Sequence, residues 1–439
     1  MLQNVRKFWS GTLGLPASVD GVKSLFGVSL YRNAMYLITN YAVLGLTGFF
    51  FWIAAARLYP TTFVGLASSA ISAVGLLTLI STLGFDFALI RFLPGAGENK
   101  KSMITSASTI SGLAAIAAAL VFIAGINIWS PALKPLRDNL VYLFAFIIFA
   151  LMNTLQALNA QCFVAARTSR YVMVQGLMIG LLRFIPLVLL VAYSKDLGIF
   201  LSWGAAVTLT VIIAVLFFLP RVYPGVSLLP SVRKNVVGPI LKFSLANYFG
   251  NIFWSIPQTI LPIMVVNLLG AEQNAYFYIG WSIAGVVFMV PLGASYSLLA
   301  EASHDEQKIG VEVKKSLKLT FVILVPIIIL LLFLGNFVLL LFGRVYSEKA
   351  LDLLRLLSVS ALPLSLNYIY FTVRRIEKKM FSVILLTVLI AVATLVSSYF
   401  LMKSMGIMGA ALGWLACQTA AALFALPYLW RRFFKKSPA

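Results

Sequence analysis

Four charged side chains lie inside long apolar stretches or at their ends, where charged residues are rare. They are Arg57, Asp86, Arg91 and Arg183. A charged group in hydrocarbon costs at least about 2.5–3.5 kcal/mol on insertion scales, so each one predicts a partner or a binding role. Arg183 is furthest from any polar segment, and a guanidinium stays protonated even where desolvation is costly. It therefore predicts an anion, which is either fixed, such as Asp86, or carried by a ligand.

The other three charged residues have two interpretations each. Arg57 lies either at an outer surface or in a binding site. Arg91 either reaches an inner interface by snorkelling or contacts a ligand. Asp86 lies five residues before Arg91, and pairing with an arginine explains it better than a site for a proton or a cation.

Amide side chains recur at helical spacing within the apolar stretches, which puts them on single helix faces. They are Asn40 in the first stretch, Asn153 and Gln156 in the fourth, and Asn247, Asn251 and Gln258 in the seventh. Such a face either binds the hydroxyls of a ligand or hydrogen-bonds a neighbouring helix, at about 0.6–2 kcal/mol per contact. We favour ligand binding for the seventh stretch, and for the fourth the two interpretations are equal.

The composition excludes most classes of protein. Of 439 residues, 61% are hydrophobic and 11% are charged, against about 25% charged in an ordinary soluble domain. A soluble fold could not bury this much apolar surface, so a soluble enzyme, a disordered chain and a disulfide scaffold are excluded. One histidine and two cysteines, without a P-loop or a nucleophile elbow, predict no catalytic residue, no metal site and no cofactor. The chain is predicted to be an all-α polytopic membrane protein.

Twelve segments are long enough to cross a membrane, since about 20 apolar residues span the hydrocarbon. The predicted spans are 30–56, 63–90, 104–129, 140–166, 171–193, 198–219, 240–268, 275–300, 318–342, 351–373, 380–402 and 406–429.

Lysine and arginine predict the orientation of these spans. Of the 34 basic residues, 25 fall on the side of the N-terminus, 8 fall on the other side, and Arg183 lies within a span. Because basic loops stay in the cytoplasm, both termini are predicted to be cytoplasmic. The net charge of +21 therefore needs no nucleic acid, only the membrane surface.

The two halves of the chain resemble each other. Lys100-Lys101-Ser102 recurs as Lys314-Lys315-Ser316, and the Leu-Gly-Ile that opens the sixth span at 197–199 recurs 208 residues later as Met-Gly-Ile. An even number of spans per repeat predicts two six-helix lobes related by an axis along the membrane normal, as in parallel transporter repeats. The predicted division is an interfacial N-terminal segment 1–29, a first lobe 30–219, a cytoplasmic linker 220–239 and a second lobe 240–439 with a basic tail.

Three segments resemble the oligosaccharide flippases, or polysaccharide biosynthesis proteins, of the multidrug/oligosaccharidyl-lipid/polysaccharide exporter superfamily. The first runs from NAMYL at 33–37 to AAARLYPTTFVGLA at 54–67. The others are LGFDFALIRFLP at 83–94 and GIMGAALG at 406–413. By contrast, the loop after the second span lacks the Gly-x-x-x-Asp-Arg signature of the major facilitator group.

The resemblance implies a flippase that moves a lipid-linked oligosaccharide from the cytoplasmic to the outer leaflet of the inner membrane by alternating access. Such substrates carry a phosphate or a pyrophosphate, so Arg183, Arg57 and Arg91 become candidate phosphate ligands and the amides candidate sugar ligands. No covalent chemistry is needed, so no enzyme is expected. The implied partners are the substrate, membrane lipids and a glycan polymerase or glycosyltransferases.

Two alternatives stay open. A multidrug or small-molecule antiporter of the same superfamily would share the fold but favour an acidic cleft for organic cations. A lipid scramblase, or a non-transporting partner in a glycan-synthesis complex, would lack coupled transport.

The basic-residue asymmetry generates a test of topology. A cysteine introduced beside Lys100, Arg233 or Lys315 should resist membrane-impermeant thiol reagents in intact cells, because those loops are predicted to be cytoplasmic. A cysteine beside Lys134 or Lys403 should react. Labelling of the first group would reverse the predicted arrangement.

Overall fold

The computed structural model describes residues 29–193, 196–226, 229–304 and 309–434, and within these ranges it contains helices and no strand. Twelve of the helical segments are long and apolar enough to cross a membrane, as the sequence predicts. The predicted interfacial segment 1–29 lies outside the described residues, apart from its last one.

The first half of the chain (29–226) supplies six of these segments from eight main helices. The helices are α1 Ser29–Leu58, α2 Thr61–Ser81, α3 Phe85–Phe92, α4 Lys100–Ala124, α5 Leu140–Ala165, α6 Arg170–Leu182, α7 Phe184–Leu190 and α8 Gly198–Ile213. Short helical turns follow α4 at Ile126–Trp129, Pro131–Leu133 and Pro135–Asp138, and α8 continues through Ala214–Phe218 to Leu219–Val222.

The second half (229–434) supplies the other six. Its helices are α9 Lys234–Leu269, α10 Ala271–His304, α11 Ile309–Leu340, α12 Arg344–Val359, α13 Ala361–Ile376, α14 Met380–Met405 and α15 Ile407–Leu429, extended by a turn at Trp430–Phe434.

Several predicted boundaries differ from the structure, among them those of the second span and of the linker. The predicted second span 63–90 is divided, because Leu83 and Gly84 have φ angles of 49° and 77° and end one helix before α3 begins. The connection between the two halves is shorter than the predicted linker 220–239, because α9 already begins at Lys234. With 36 residues, α9 is about 54 Å long at 1.5 Å per residue, well beyond the roughly 30 Å of hydrocarbon that hydropathy detects.

Within the first half, α1 packs closely against α6. Gly176 and Gly180 lie one turn apart on α6, where an added Cβ would overlap the side chains of Asn40 and Thr47 on α1. Both positions therefore need glycine, and small residues are what lets two membrane helices approach this closely.

The two halves meet along α2, which packs against both α9 and α10. We call the end where α1 and α9 begin the basic end, since Arg32, Lys100 and Arg167 lie there, and the other the opposite end. At the opposite end, the Asn274 amide of α10 donates to the Gly65 carbonyl (2.8 Å) and to the hydroxyls of Ser68 (3.0 Å) and Ser69 (2.8 Å). A Cβ at Gly65 would overlap the backbone of Ala271.

Two further contacts join the halves at the same end. Asn267 donates to the Trp129 carbonyl (3.2 Å) and accepts from the Ala132 amide (3.1 Å). Arg57 donates to the carbonyls of Leu341 (2.9 Å) and Leu340 (2.5 Å). These contacts fasten the halves at the opposite end. Toward the basic end, Tyr248 of α9 also donates to the Ile80 carbonyl of α2 (2.9 Å), so hydrogen bonds join the halves there too.

The α1–α6 contact predicts effects of opposite sign at two glycines. Gly180→Ala should destabilise the protein by about 1–3 kcal/mol through overpacking against Thr47. Gly45→Ala on α1 should be neutral or stabilising, because a Cβ there meets nothing within 4 Å and alanine favours the helix. Thermal unfolding of both variants in detergent measures the difference, and equal effects would contradict it.

Candidate functional site

Arg183 lies at the junction between α6 and α7. Pro186 follows three residues later, and because proline lacks an N–H it leaves the Leu182 carbonyl without its usual intrahelical partner. Arg183 is 7% exposed. Its Nη2 donates to the Thr47 hydroxyl (3.1 Å), its Nε to the Gly180 carbonyl (3.3 Å), and its Cζ lies 4.6 Å from the centroid of the Phe51 ring.

All of these contacts are to neutral groups. Among the described residues Arg183 forms no ion pair, and in particular none with Asp86. The hydroxyl, the carbonyl and the aromatic face lower the cost of burying the charge but do not neutralise it. The site therefore holds an uncompensated positive charge in the interior.

The second half of the chain also reaches this site. Tyr278 of α10 is close enough to Arg183 for the two to interact electrostatically, and its ring lies 4.7 Å from that of Trp52 on α1. Arg183 is thus located where α1, α6 and α10 meet, just inside the fastened opposite end.

The polar stripe of α1 faces α6 rather than the other half. The Asn33 side chain accepts from the Ser169 amide at 2.9 Å, Asn40 lies against Gly176, and Thr47 holds Arg183. Asn40 is 6% exposed and its Oδ1 has no hydrogen-bond partner among the described residues. Its surroundings are those of an interhelical contact.

The other predicted amides are dispersed. Asn153 donates to the Thr78 hydroxyl (2.9 Å), so it joins α5 to α2, and Gln156 is half-buried on α5. Gln258 is exposed on α9, and its hydrogen bond among the described residues is to the Trp254 carbonyl of its own helix at 3.5 Å. Asn247 and Asn251 belong to α9, but their side chains lie outside the described part of the structure.

The remaining charged candidates do not approach Arg183. Asp86 is half-buried in the first turn of α3, and its Oδ1 has no hydrogen-bond partner among the described residues. Arg91 is exposed at the end of α3, with its guanidinium 5.7 Å from the Phe92 ring. Arg57 joins the two halves at the opposite end through the Leu340 and Leu341 carbonyls, whereas the sequence predicted either an outer-surface position or a binding site.

Sequence reasoning missed several residues of this arrangement. Phe51 and Tyr278 carry no signal, since aromatic side chains are common throughout the chain. Asn274 carries a weak sequence signal, because it is an amide just inside the start of α10. No group of three or more potential metal ligands occurs among the described residues.

Comparison with known proteins places this fold among membrane transporters. The structure is similar to that of the lipid II flippase MurJ in its inward closed conformation, with a TM-score of 0.76 and 12% identity. The match covers 90% of this chain and 87% of MurJ. It is also similar to an inward-facing multidrug resistance MATE family transporter of the MOP superfamily, with a TM-score of 0.68 and 15% identity. That match covers 90% of this chain and 98% of the transporter.

A third similar structure is a MOP superfamily transporter from Pyrococcus furiosus. It covers 92% of this chain and 95% of its own, with a TM-score of 0.62 and 14% identity. A search of curated proteins found no match to the sequence.

These structures establish the fold, and the sequence itself establishes the family. Residues 30–300, well over half of the chain, match the family described as polysaccharide biosynthesis protein. The chain belongs to the polysaccharide biosynthesis protein family.

Proposed function

We propose that this protein flips a phosphate- or pyrophosphate-linked oligosaccharide lipid from the cytoplasmic to the outer leaflet by alternating access. The observation that carries the proposal is the buried guanidinium of Arg183, which has only neutral partners. A charge kept in the interior at this cost is explained by an anion that arrives with the substrate. The fork of a guanidinium matches two oxygens of a phosphate group.

The proposal assigns the basic end to the cytoplasm and both termini to the same side. The described conformation, fastened at the opposite end, then corresponds to a state closed to the outside. Arg183 would receive the phosphate at the closed end of a cleft between two six-helix lobes. Transport would require the contacts of Asn274, Asn267 and Arg57 to break.

Sugar recognition needs hydrogen-bonding groups besides the cation. We assign this role to the exposed Gln258 and to Asn247 and Asn251 of the same helix. Asn40 and Asn153 are better suited to holding helices together, because Asn40 is buried against α6 and Asn153 bonds to Thr78. Glycosyltransferases or a glycan polymerase would supply or use the lipid, and the flippase itself makes and breaks no covalent bond.

The charge of the interior argues against the antiporter alternative. Organic cations would be attracted by a carboxylate in the cleft, whereas the ionic group at the junction of α1, α6 and α10 is Arg183. The structural similarity to multidrug transporters reflects a shared fold, and at 15% identity or below it carries no substrate assignment.

Substitution of Arg183 tests the proposal directly. Arg183→Ala should fold normally, because it leaves no partner carboxylate buried and unpaired, yet the initial flipping rate should fall by about ten-fold or more, equivalent to about 1.4 kcal/mol. Arg183→Lys should retain part of the rate. Flipping is measured with purified protein in liposomes that contain a fluorescent lipid diphosphate disaccharide, with a membrane-impermeant quencher outside.

Arg137→Ala is the matched control, since it removes an arginine that pairs with Asp138 near the surface. It should flip at the wild-type rate. Full activity of Arg183→Ala at normal expression would refute the substrate role. Efflux of an organic cation without lipid flipping would favour the antiporter, and flipping of any phospholipid in both directions would favour the scramblase.

A second test concerns the fastened end. Gly65→Ala should force α2 and α10 apart at Ala271 and so favour the conformation open at the opposite end. A cysteine reporter at Ser68, which is fully buried, should then react faster with a membrane-impermeant thiol reagent. Gly285→Ala on α10, where a Cβ meets nothing within 4 Å, is the control. Equal labelling in both variants would show that this contact does not hold the end closed.

A further inference from the structure

A second cationic site lies at the basic end, where α1 and α6 begin. It is a pocket of about 360 Å³ lined by Arg32, Asn33, Tyr36, Arg167, Thr168 and Arg170. Three of its six lining residues are arginines and none is acidic. The predicted substrate contacts do not include any of them, so the proposed function leaves this pocket unused.

Specific contacts build the pocket from two helices. The Asn33 side-chain oxygen accepts from the Ser169 backbone amide at 2.9 Å, which ties the start of α1 to the turn before α6. This bond brings Arg32 beside Arg167 and Arg170. Because Asn33 is itself 9% exposed, the tie is shielded from water and holds the two helix ends in register.

Arg167 adopts a conformation that arginine rarely takes. It follows α5 with a φ of 56°, in a turn closed by the Thr168 amide to the Phe163 carbonyl (2.9 Å) and the Arg167 amide to the Val164 carbonyl (3.0 Å). Helices that end in this way usually have glycine at that position, because a Cβ is unfavourable there. An arginine in place of glycine at this position lines the pocket at a cost in backbone strain, as is common at ligand sites.

No described carboxylate neutralises the positive charge of the pocket. Among the described residues none of the three arginines pairs with a carboxylate. Arg170 is oriented by Tyr171, whose hydroxyl accepts from it at 3.2 Å and whose ring centroid lies 4.9 Å from its Cζ. The 13-residue helix α6 begins here as well, and its N-terminus adds a partial positive charge.

We infer that this pocket binds the phosphate group of a lipid at the membrane surface. Arginine forks and a helix N-terminus are both suited to phosphate oxygens, and basic pockets between membrane helices are suited to anionic headgroups. An adjoining pocket of about 850 Å³ shares Arg167 and is lined by Lys100 and Lys101, together with Glu98, so the cationic surface continues away from α1.

The phosphate has two sources, an anionic bilayer lipid or the diphosphate of the substrate itself. In the second case the pocket is a capture site from which the headgroup passes along α1 to Arg183, and this part of the inference rests on the proposed function. Binding of the phosphate group itself does not depend on transport.

Binding to the purified full-length protein in detergent tests the inference. The probes are dioctanoyl phosphatidic acid and decyl diphosphate, with dioctanoylglycerol and decanol as phosphate-free controls. The experiment is done in an Arg183→Ala background, so that the interior cation does not contribute. Replacement of Arg32, Arg167 and Arg170 by glutamine should weaken phosphate-probe binding by on the order of ten-fold or more.

Arg221→Gln is the matched control, an exposed basic residue at the same end that does not line the pocket. It should bind as its parent does. Should the triple variant fold poorly, Arg32→Gln alone serves, because Arg32 is exposed and should weaken binding by a smaller factor without loss of stability.

Each outcome decides the question. Loss of binding in the triple variant but not in Arg221→Gln supports the site, and the preferred probe identifies the bilayer lipid or the diphosphate substrate as its source. Equal binding by the triple variant and its parent, or no difference between phosphate probes and their phosphate-free controls, overturns the inference. If phosphate binding at the pocket persists while the protein with Arg183 intact flips no lipid, the proposed function fails and this site stands.

Discussion

The contact between α1 and α6 is the constraint on which the interior depends. Gly176 and Gly180 remove two side chains so that the helices can touch, and the next turn then brings the Arg183 guanidinium onto Thr47 and Phe51. A hydroxyl, a carbonyl and an aromatic face are enough to bury the cation without supplying a counter-ion. A fixed carboxylate would have stabilised the same charge but would compete with any anionic ligand.

The contact between the two halves has a different character. Beside the apolar packing of α2 against α9 and α10, it includes single side chains that donate to backbone carbonyls and serines, such as Asn274. Such hydrogen bonds contribute about 0.5–1.5 kcal/mol each in net terms. A small set of them can hold one end closed and still exchange for contacts with a ligand or with water, as alternating access in the proposed function requires.

Hydropathy was sufficient for the fold class, because it depends on composition along single segments. Hydropathy detects only the part of a helix that lies within the hydrocarbon. It therefore did not predict that α9 begins at Lys234, six residues before the predicted span. The partners of side chains were also not accessible: Asn40 and Asn247 carry the same spacing signal, but spacing fixes a helix face and not the helix it meets. The four-residue spacing of Gly176 and Gly180 is the better indicator, since paired glycines imply a close neighbour.

The two halves also differ in a way that bears on mechanism. α6 packs against α1, and α14 packs against α9 in the corresponding arrangement. The fourth span of each half is followed by a similar turn, in which Arg167 and Lys378 have φ angles of 56° and 59°. At the offset of 211 residues between these two turns, however, Arg183 corresponds to Thr394, which is buried within the continuous helix α14. The second half therefore has no cation at the position equivalent to Arg183. In the proposed mechanism, the phosphate is held by the first half while the second half moves past it.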